Sequence, residues 1–234
     1  MSQAHRNEGT TATTTPTAHE VREMVERERA AAPAQPTGVL VGAGGDPLIL
    51  GLPIFAIGSL ILGMVLVGVV DLTALGSIVP IILGATGLML LVVTVWAAML
   101  GQTMVAGITG TFSGFWLSLS LLLLGLVHNW YGLVLPQVPN VQEMFFIAWG
   151  CLFVFLLIPS LFLPAIYPLI VALVVAALAL AATAAHNLDN DLFKAAGYVT
   201  FVFALLGFLA FVNVGMTAMG AKKPLPPLGP AIMH

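Results

Sequence analysis

The run GITGTFSGFWLSLSL combines small, hydroxyl and aromatic residues at the start of a segment that is otherwise rich in leucine. The hydroxyls of Thr111 and Ser113 can replace water around a small solute, and the ring of Phe112 can narrow a path through a membrane. The same run also suits packing, because Gly110 and Gly114 are four apart and hydroxyls bond back to their own helix. The residues alone leave a solute path and a helix contact both open.

A second run, GDPLILGLPIFAIGSLILG, carries a proline inside an apolar stretch. Pro53 removes a backbone donor and predicts a kink or break near residues 50–52, where Gly51 allows close approach. A broken helix would expose amides that can bind an anion. Phe55 and Ser59 are four apart and share one face just beyond the break. An ordinary proline kink packed against its neighbours is the alternative interpretation.

The other residues that could act in catalysis or bind a metal do not form a recognisable catalytic set. His186 stands near two acids, which is a weak metal signature, and Cys151 is the single cysteine and has no base near it in the sequence. We expect Asn190 or Asp191 to cap the last helix and Glu143 to open the fourth span. The sequence therefore predicts no catalytic residue, no metal site and no cofactor, and a protein that is not an enzyme.

The elements that position these residues follow from composition, which is 59% hydrophobic and 7% charged. A bilayer core is crossed by roughly 20 apolar residues in a helix, and helices satisfy their own backbone groups in lipid. Six stretches approach this length, at residues 48–70, 78–100, 112–127, 144–163, 165–185 and 195–214. We therefore expect an all-α, multi-pass protein with six transmembrane helices around a central path, embedded in the lipid bilayer.

Charge is confined to the tails and the predicted ends of the spans. Between residues 48 and 220, the formally charged side chains are Asp71, Glu143, Asp189, Asp191 and Lys194. No buried proton relay or voltage sensor is expected, and no basic patch suggests nucleic acid. The other lysines and arginines lie in the two tails, so the positive-inside rule predicts that both termini are cytoplasmic. The high content of Ala, Gly and Val suggests a bacterial protein, and therefore a bacterial plasma membrane.

The chain divides into three parts by composition. Residues 1–45 are rich in Thr, Pro and Ala and read as a largely disordered tail, with a charged island at 19–32 that could form a short helix and dock a protein partner. Residues 46–220 form the transmembrane domain. The Pro-rich residues 221–234 are expected to form an extended tail on the cytoplasmic side.

The two runs together resemble the acetate uptake transporter family. That family opens its first span with Asn-Pro-Ala-Pro-Leu-Gly-Leu followed by Phe, and its third span with a Gly- and Tyr-containing run that ends in Gly-Phe-Trp-Leu or similar. The order and spacing of such motifs hold from about residue 46 to residue 230. The matching positions are Asp46, Pro47, Leu50, Gly51, Leu52 and Phe55, then Gly114, Phe115 and Trp116.

The resemblance implies a hexamer in which every protomer has its own path for small monocarboxylates such as acetate. Relatives narrow that path with a Phe from the first span, a Tyr from the third and an aliphatic residue from the fifth. These positions fall on Phe55, on Phe112 and, by spacing alone, on Val174. The function it implies is a transporter or channel that is proton-coupled or carries the protonated acid.

The departures from the family motifs make the expected path less polar. Asp46 replaces the leading Asn, Ile49 replaces the second proline, and Phe112 replaces the tyrosine, while the second span reads TGLML where relatives have Gly-Gly-x-Ala-Gln. Burying a carboxylate without partners is costly, so a protonated acid suits such a path better. A channel for ammonia or another small neutral solute, and a non-conducting scaffold whose N-terminal tail docks a partner, remain alternatives.

Overall fold

Six apolar helices form the membrane domain of this computed structural model, which describes residues 45–70 and 72–233 together with His19 and Glu23. The segments in chain order are α1 (Leu48–Leu66), a 3-10 helix (Leu72–Ile78), a π-helix (Pro80–Leu88), α2 (Met89–Met99), α3 (Thr103–Val127), a 3-10 turn (Leu135–Gln137), α4 (Val138–Ser160), α5 (Ile166–Asn187) and α6 (Asn190–Ala218). The second span is continuous from Ala74 to Met99. The predicted all-α fold with six membrane-spanning helices is confirmed.

The chain separates into the units Met1–Leu40 and Val41–His234. In the first unit, His19 Nδ1 lies 3.9 Å from Glu23 Oε1, and both residues are helical. Apart from these two residues, the predicted helix at 19–32 and the tail around it lie outside the described residues.

Glycines bring the first and last helices of the membrane domain into close contact. α1 packs mainly against α6, and α5 lies between α4 and α6. A methyl group at Gly63 of α1 would lie 2.7 Å from the ring of Phe201, and one at Gly197 of α6 would lie 2.7 Å from Val67 Cγ1. Both distances are too short for a carbon contact, so the pairing of α1 with α6 requires glycine at both positions.

α1 runs unbroken through Pro53, so the predicted break near residues 50–52 is absent. The amide of Gly51 donates to the carbonyl of Pro47 at 3.0 Å, and the amide of Leu48 donates to Asp46 Oδ1 at 2.9 Å. The first-turn amides are therefore used within the chain, and the anion site expected at a half-helix terminus does not form. Membrane helices tolerate proline because neighbouring helices hold the segment in place despite one missing hydrogen bond.

The second span differs from the single helix predicted at 78–100. It begins with a 3-10 helix and then forms nine residues of π-helix, a geometry that is rare and usually much shorter. Two hydroxyls tie this segment to its neighbours: Thr86 Oγ1 donates to the carbonyl of Ile54 at 3.1 Å, and Ser113 Oγ donates to the carbonyl of Gly87 at 2.8 Å. These cross-helix bonds hold the π-helix between α1 and α3.

Several predicted helix ends shift in the structure. α3 begins at Thr103, ahead of the predicted span at 112–127. α4 begins at Val138, so Glu143 lies in its second turn and does not open it. The Glu143 carboxyl oxygens instead lie 3.1 Å from His186 Nδ1 at the end of α5. The cap of α6 is Asp189, which accepts from two amides of the first turn, so the expectation of Asn190 or Asp191 is wrong by one or two residues.

Residues 224–233 form an extended segment, here called the C-terminal strap, that is bonded along the connection between α4 and α5. The amide of Ile166 donates to the carbonyl of Leu228 at 3.0 Å, and the amide of Ile232 donates to the carbonyl of Leu161 at 3.1 Å. Asn213 Nδ2 of α6 donates to a strap carbonyl, that of Pro226, at 2.7 Å. The segment is extended as predicted, but it is docked by backbone pairing.

Candidate functional site

A cavity of about 490 Å³ lies inside the helix bundle and is lined by side chains from α1, α3, α4, α5 and α6 and from the segment that precedes the π-helix. It extends from the rings of Phe55 and Phe112 to Gln142, Asn190 and Lys194 near the starts of α4 and α6. The end of the cavity near Gln142, Asn190 and Lys194 is here called the mouth. Because neighbouring spans alternate in direction, the mouth lies at the end of the bundle opposite the start of α1 and the end of α6.

Four phenyl rings from four helices meet at the inner end of the cavity. The ring centroids of Phe55 and Phe112 are 4.7 Å apart in an edge-on arrangement, and those of Phe55 and Phe203 are 5.9 Å apart and stacked. Phe153 of α4 lies behind Phe112 at 4.8 Å and is fully buried. Such contacts stabilise an aromatic cluster, and three of its rings, those of Phe55, Phe112 and Phe203, line the inner end of the cavity.

The three positions predicted to narrow the path line this one cavity. Phe55 belongs to α1, Phe112 to α3 and Val174 to α5, and all three are buried. The structure thus brings together residues that are 57 and 62 positions apart in the chain. Their role in limiting a solute stays a prediction.

The cavity wall is mostly apolar. Among the described lining residues, Lys194 is the one ionisable side chain, and its Nζ lies 2.9 Å from Asp191 Oδ1 near the mouth. Thr200 also lines the cavity, and its hydroxyl donates to a carbonyl one turn back in α6 at 2.8 Å. Phe115 and Trp116 of the third-span motif complete the wall next to Phe112. A solute in the inner part of this cavity would meet mainly carbon.

The hydroxyls predicted to contact a solute do not line this cavity. Ser59 donates to the carbonyl of Phe55 at 2.7 Å, and Thr111 donates to the carbonyl of Gly107 at 2.9 Å, each within its own helix. Ser113 donates across to the π-helix, as described above. The structure therefore favours the packing interpretation for these three residues, and the cavity gives no support to a solute contact.

The glycines of the third-span motif contact two different helices. A methyl group at Gly110 would lie 3.1 Å from Thr94 Cγ2 of α2, whereas one at Gly114 would lie 3.1 Å from the ring of Trp149 of α4. The glycine pair spaced by four thus serves two contacts, because α3 lies between the second and fourth spans. In the first-span motif, a methyl group at Gly51 would lie 3.2 Å from Val93 Cγ1 of α2, so this glycine also serves packing.

Sequence reasoning did not find Phe203, Phe153 or Thr200. Phe203 is one of four phenylalanines between residues 201 and 211, and Phe153 lies in a fourth span with several aromatic residues. No spacing in either helix distinguishes the buried ring from those that face outward. Only the packing of the helices selects them.

Comparison with known proteins places these features in a family. The model of the GPR1/FUN34/yaaH family matches residues 34–221, which is more than half of the chain. The chain belongs to the GPR1/FUN34/yaaH family. This finding confirms the resemblance to acetate uptake transporters that the first- and third-span motifs indicated.

A solved structure with a similar fold supports the GPR1/FUN34/yaaH assignment. It is described as "Structure of the bacterial acetate channel SatP", and it matches with a TM-score of 0.69 at 19% sequence identity. The match covers 79% of this chain and 99% of that chain. No curated protein sequence matches. The prediction that this GPR1/FUN34/yaaH member is not an enzyme agrees with both matches.

Proposed function

We propose that this protein is a membrane channel or transporter for small monocarboxylates such as acetate. The solute enters the cavity at the Lys194 end and passes the constriction of Phe55, Phe112 and Phe203. The observation that carries the proposal is the meeting of Phe55, Phe112 and Val174 in one cavity of a GPR1/FUN34/yaaH member. The fold similarity to an acetate channel supports the same class of solute.

The apolar wall favours passage of the acid in its protonated form. Moving a carboxylate out of water without hydrogen-bonding partners is costly, and in the described lining only Lys194 carries a charge. Protonation removes this cost, so proton movement accompanies the solute without a buried titratable relay. We therefore expect net uptake to follow an inward proton gradient.

Acetate flux into liposomes tests the proposal. Purified protein should raise the uptake of labelled acetate above that of protein-free liposomes, which correct for passive permeation of acetic acid, and an acidic exterior should increase the difference. Phe112→Ala should raise flux and admit longer monocarboxylates, because it removes one ring of the constriction. The matched control is Phe155→Ala, since Phe155 is 71% exposed on the outer face of α4. Equal uptake with and without the wild-type protein would contradict the proposal.

A channel for ammonia is the second candidate, because an apolar cavity with a dry aromatic constriction also suits a small neutral solute. An ammonium gradient across the same liposomes, with a pH-sensitive dye inside, measures this flux. Ammonia flux without acetate flux would assign the protein to this class instead.

A non-conducting scaffold is the third candidate, and the contact of the Phe55 and Phe112 rings at 4.7 Å motivates it. In that case the N-terminal tail would dock a partner protein. Deleting residues 1–38 and comparing the proteins that co-purify tests this candidate. An unchanged set of co-purifying proteins would count against a docking role for the tail.

We further propose that the protein lies in a bacterial plasma membrane with both termini cytoplasmic, and that it assembles as a hexamer. The clustering of Lys and Arg in the tails supports the orientation. Epitope tags at the two ends should both be inaccessible to antibody in intact spheroplasts and accessible after permeabilisation. Accessibility of either tag in intact spheroplasts would contradict the orientation.

A further inference from the structure

The cavity lies on one side of its aromatic constriction. On α1 and α3 its lining begins at Phe55 and Phe112 and continues toward the mouth, and on α5 it begins at Val174. On α6, which runs in the opposite direction, the lining ends at Phe203. A solute that passes the phenyl rings must therefore leave through a part of the bundle that this cavity does not reach.

Apolar side chains fill the bundle beyond the constriction. Leu48 and Ile170 lie seven and four positions before the constriction residues of α1 and α5, and Ala210 lies seven positions after that of α6. Residues at these spacings share one face of a helix, so the three side chains lie where a continuation of the path would run. Ile170 and Ala210 are buried in the hydrophobic core, and Leu48 packs against it. Passage therefore requires the ends of α1, α5 and α6 to move apart.

The C-terminal strap ties these helix ends together. It is bonded to α6 through the carbonyl of Pro226 and to the first turn of α5 through the carbonyl of Leu228. The side chain of Leu228 also packs against the hydrophobic core. The two bonded carbonyls are two residues apart, and two residues span at most about 7 Å. The ends of α5 and α6 therefore cannot separate without breaking one of these bonds.

The strap itself has few buried contacts. Each of residues 224–233 is exposed or half-buried, and the segment is held mainly by hydrogen bonds of its main chain. Segments of this kind open locally at a lower free energy than the whole fold unfolds. The strap can therefore undock while the six helices stay folded.

We propose that the C-terminal strap is the gate of the path at the end opposite the mouth. When docked, it holds the ends of α5 and α6 together and keeps the apolar layer beyond the phenyl rings closed. When undocked, it lets these ends separate and the solute leave. The inference goes beyond the proposed function, because it assigns closure to a segment that does not line the cavity and holds for any solute that passes the rings.

Gly229 offers a way to undock the strap in the full-length chain. Its φ is +78°, in the left-handed region that β-branched residues rarely adopt, and a methyl group there would lie 2.9 Å from Ala165 Cβ at the start of α5. Gly229→Val should therefore release the strap from α5 without changing any residue of the helices.

The accessibility of a buried thiol tests the gate without any flux. In a Cys151→Ala background, Ala210→Cys places a thiol in the apolar layer, and a water-soluble methanethiosulfonate reagent should modify it slowly. Adding Gly229→Val should make this modification faster. Ala184→Cys is the matched control, because Ala184 is equally buried, lies near the mouth end of α5 and does not line the cavity. Its rate should stay slow. An unchanged rate at Ala210→Cys, or a faster rate at both thiols, would overturn the inference.

A reversible cross-link tests the gate during transport. Pro164 and Ala231 form an antiparallel bridge next to the bond from the Ala165 amide to the Pro230 carbonyl. Pairs of this kind place their Cα atoms about 4.5 Å apart, within the range of a disulfide. With Cys151→Ala, the double variant Pro164→Cys/Ala231→Cys should lose acetate flux on oxidation and regain it with a reductant. Each single-cysteine variant should keep its flux under the same treatment. Full flux through the cross-linked protein would overturn the inference.

The two experiments separate this inference from the proposed function. If the wild-type protein transports acetate and the cross-linked protein does so equally well, the gate is wrong and the proposed function stands. If the wild-type protein gives no acetate flux but Gly229→Val speeds modification at Ala210→Cys alone, the gate stands and the proposed function is wrong.

Discussion

The ring of Phe55 lies against the backbone of α6, and this contact sets how far the ring can move away from Phe112. A methyl group at Gly207 would lie 3.2 Å from both Phe55 Cδ1 and Ala56 Cβ. A side chain at this position therefore requires the Phe55 ring or α1 to shift by a few tenths of an ångström. The width of the constriction therefore depends on a residue that does not itself line the cavity.

We predict that Gly207→Ala lowers acetate flux and destabilises the protein by roughly 1–3 kcal/mol, because the added methyl displaces the Phe55 ring or separates the helices. Liposome flux and thermal unfolding measure the two effects. Gly215→Ala in the same helix is the control, since a methyl there would meet its nearest neighbour at 3.7 Å, an ordinary contact. Equal flux in the two variants would contradict the proposed link between Gly207 and the constriction.

We predict that Ser113→Ala destabilises the fold by about 1–3 kcal/mol because the buried carbonyl of Gly87 loses its partner from α3. Acetate flux per folded protein should stay near the wild-type value, since Ser113 does not line the cavity. Ser118→Ala is the control, because the Ser118 hydroxyl bonds only within its own helix. A clear loss of acetate flux per folded protein in Ser113→Ala would instead support a contact between Ser113 and the solute.

At the level of residues, the sequence motifs predicted part of the candidate site. Phe55 and Phe112 stood out because each lies in a motif that the family shares, and the structure places their rings together. The hydroxyls of Ser59, Thr111 and Ser113 bond to backbone carbonyls, in agreement with the packing interpretation that the sequence left open, and the sequence does not show which carbonyl accepts each bond. Phe203 carries no local signal, since its selection depends on the rotation of α6 against α1.

At the level of elements, hydropathy found the six spans but not the geometry within them. The π-helix of the second span is as apolar as an α-helix, so a pattern of hydrophobic residues cannot distinguish the two. Thr86 and Ser113 bond this segment to α1 and α3, and such contacts between distant parts of the chain are not visible in the sequence. Pro53 does not break α1, because packing within the bundle keeps the segment helical across it, which agrees with the alternative of an ordinary proline packed against its neighbours.

The C-terminal strap is predicted to stabilise the bundle through Asn213, whose amide bonds the carbonyl of Pro226 at 2.7 Å and is nearly buried. Asn213→Ala should lower the free energy of unfolding by about 1–3 kcal/mol, because this carbonyl loses its donor. Deleting residues 224–233 should lower the midpoint of thermal unfolding further. Scanning fluorimetry in detergent measures both. Unchanged midpoints in both variants would show that the strap adds no stability.

At the scale of the whole molecule, the fourth span is exposed in a way that the other five are not. In its most apolar stretch 6% of residues are buried, compared with 39–56% in the other spans. Phe153 is the ring that it inserts into the core, while Leu152, Val154 and Phe155 face outward. This face is open to contact with lipid or with a neighbouring protomer. In the proposed hexamer, a neighbouring protomer would cover it.

We predict that a spin label on Cys151 reports the assembly. Cys151 is exposed on α4 and is the only cysteine of the chain, so labelling needs no other substitution. In a hexamer, dipolar spectroscopy should show three distances between the labels of different protomers, in the ratio 1: √3: 2 that a regular hexagon requires. Dilution with unlabelled protein should suppress these distances. A spectrum without discrete distances at full labelling would contradict a fixed ring.

The overall architecture was predictable because six long apolar stretches carry almost no charge and do not alternate at period two, which favours membrane-spanning helices over barrel strands. The cavity was not predictable from composition, because its wall draws residues from five helices at once. The motifs identified two positions that meet in it, Phe55 and Phe112, and spacing alone identified the third, Val174.

The C-terminal strap also bears on how the protein is made. Its hydrogen bonds join Leu228 and Ile232 to residues at the turn between α4 and α5. These residues precede the strap by more than sixty positions and are synthesised first. These bonds can form only after α6 has entered the membrane and turned the chain back to the side where that turn lies. Docking of the strap is therefore expected to follow insertion of the last span.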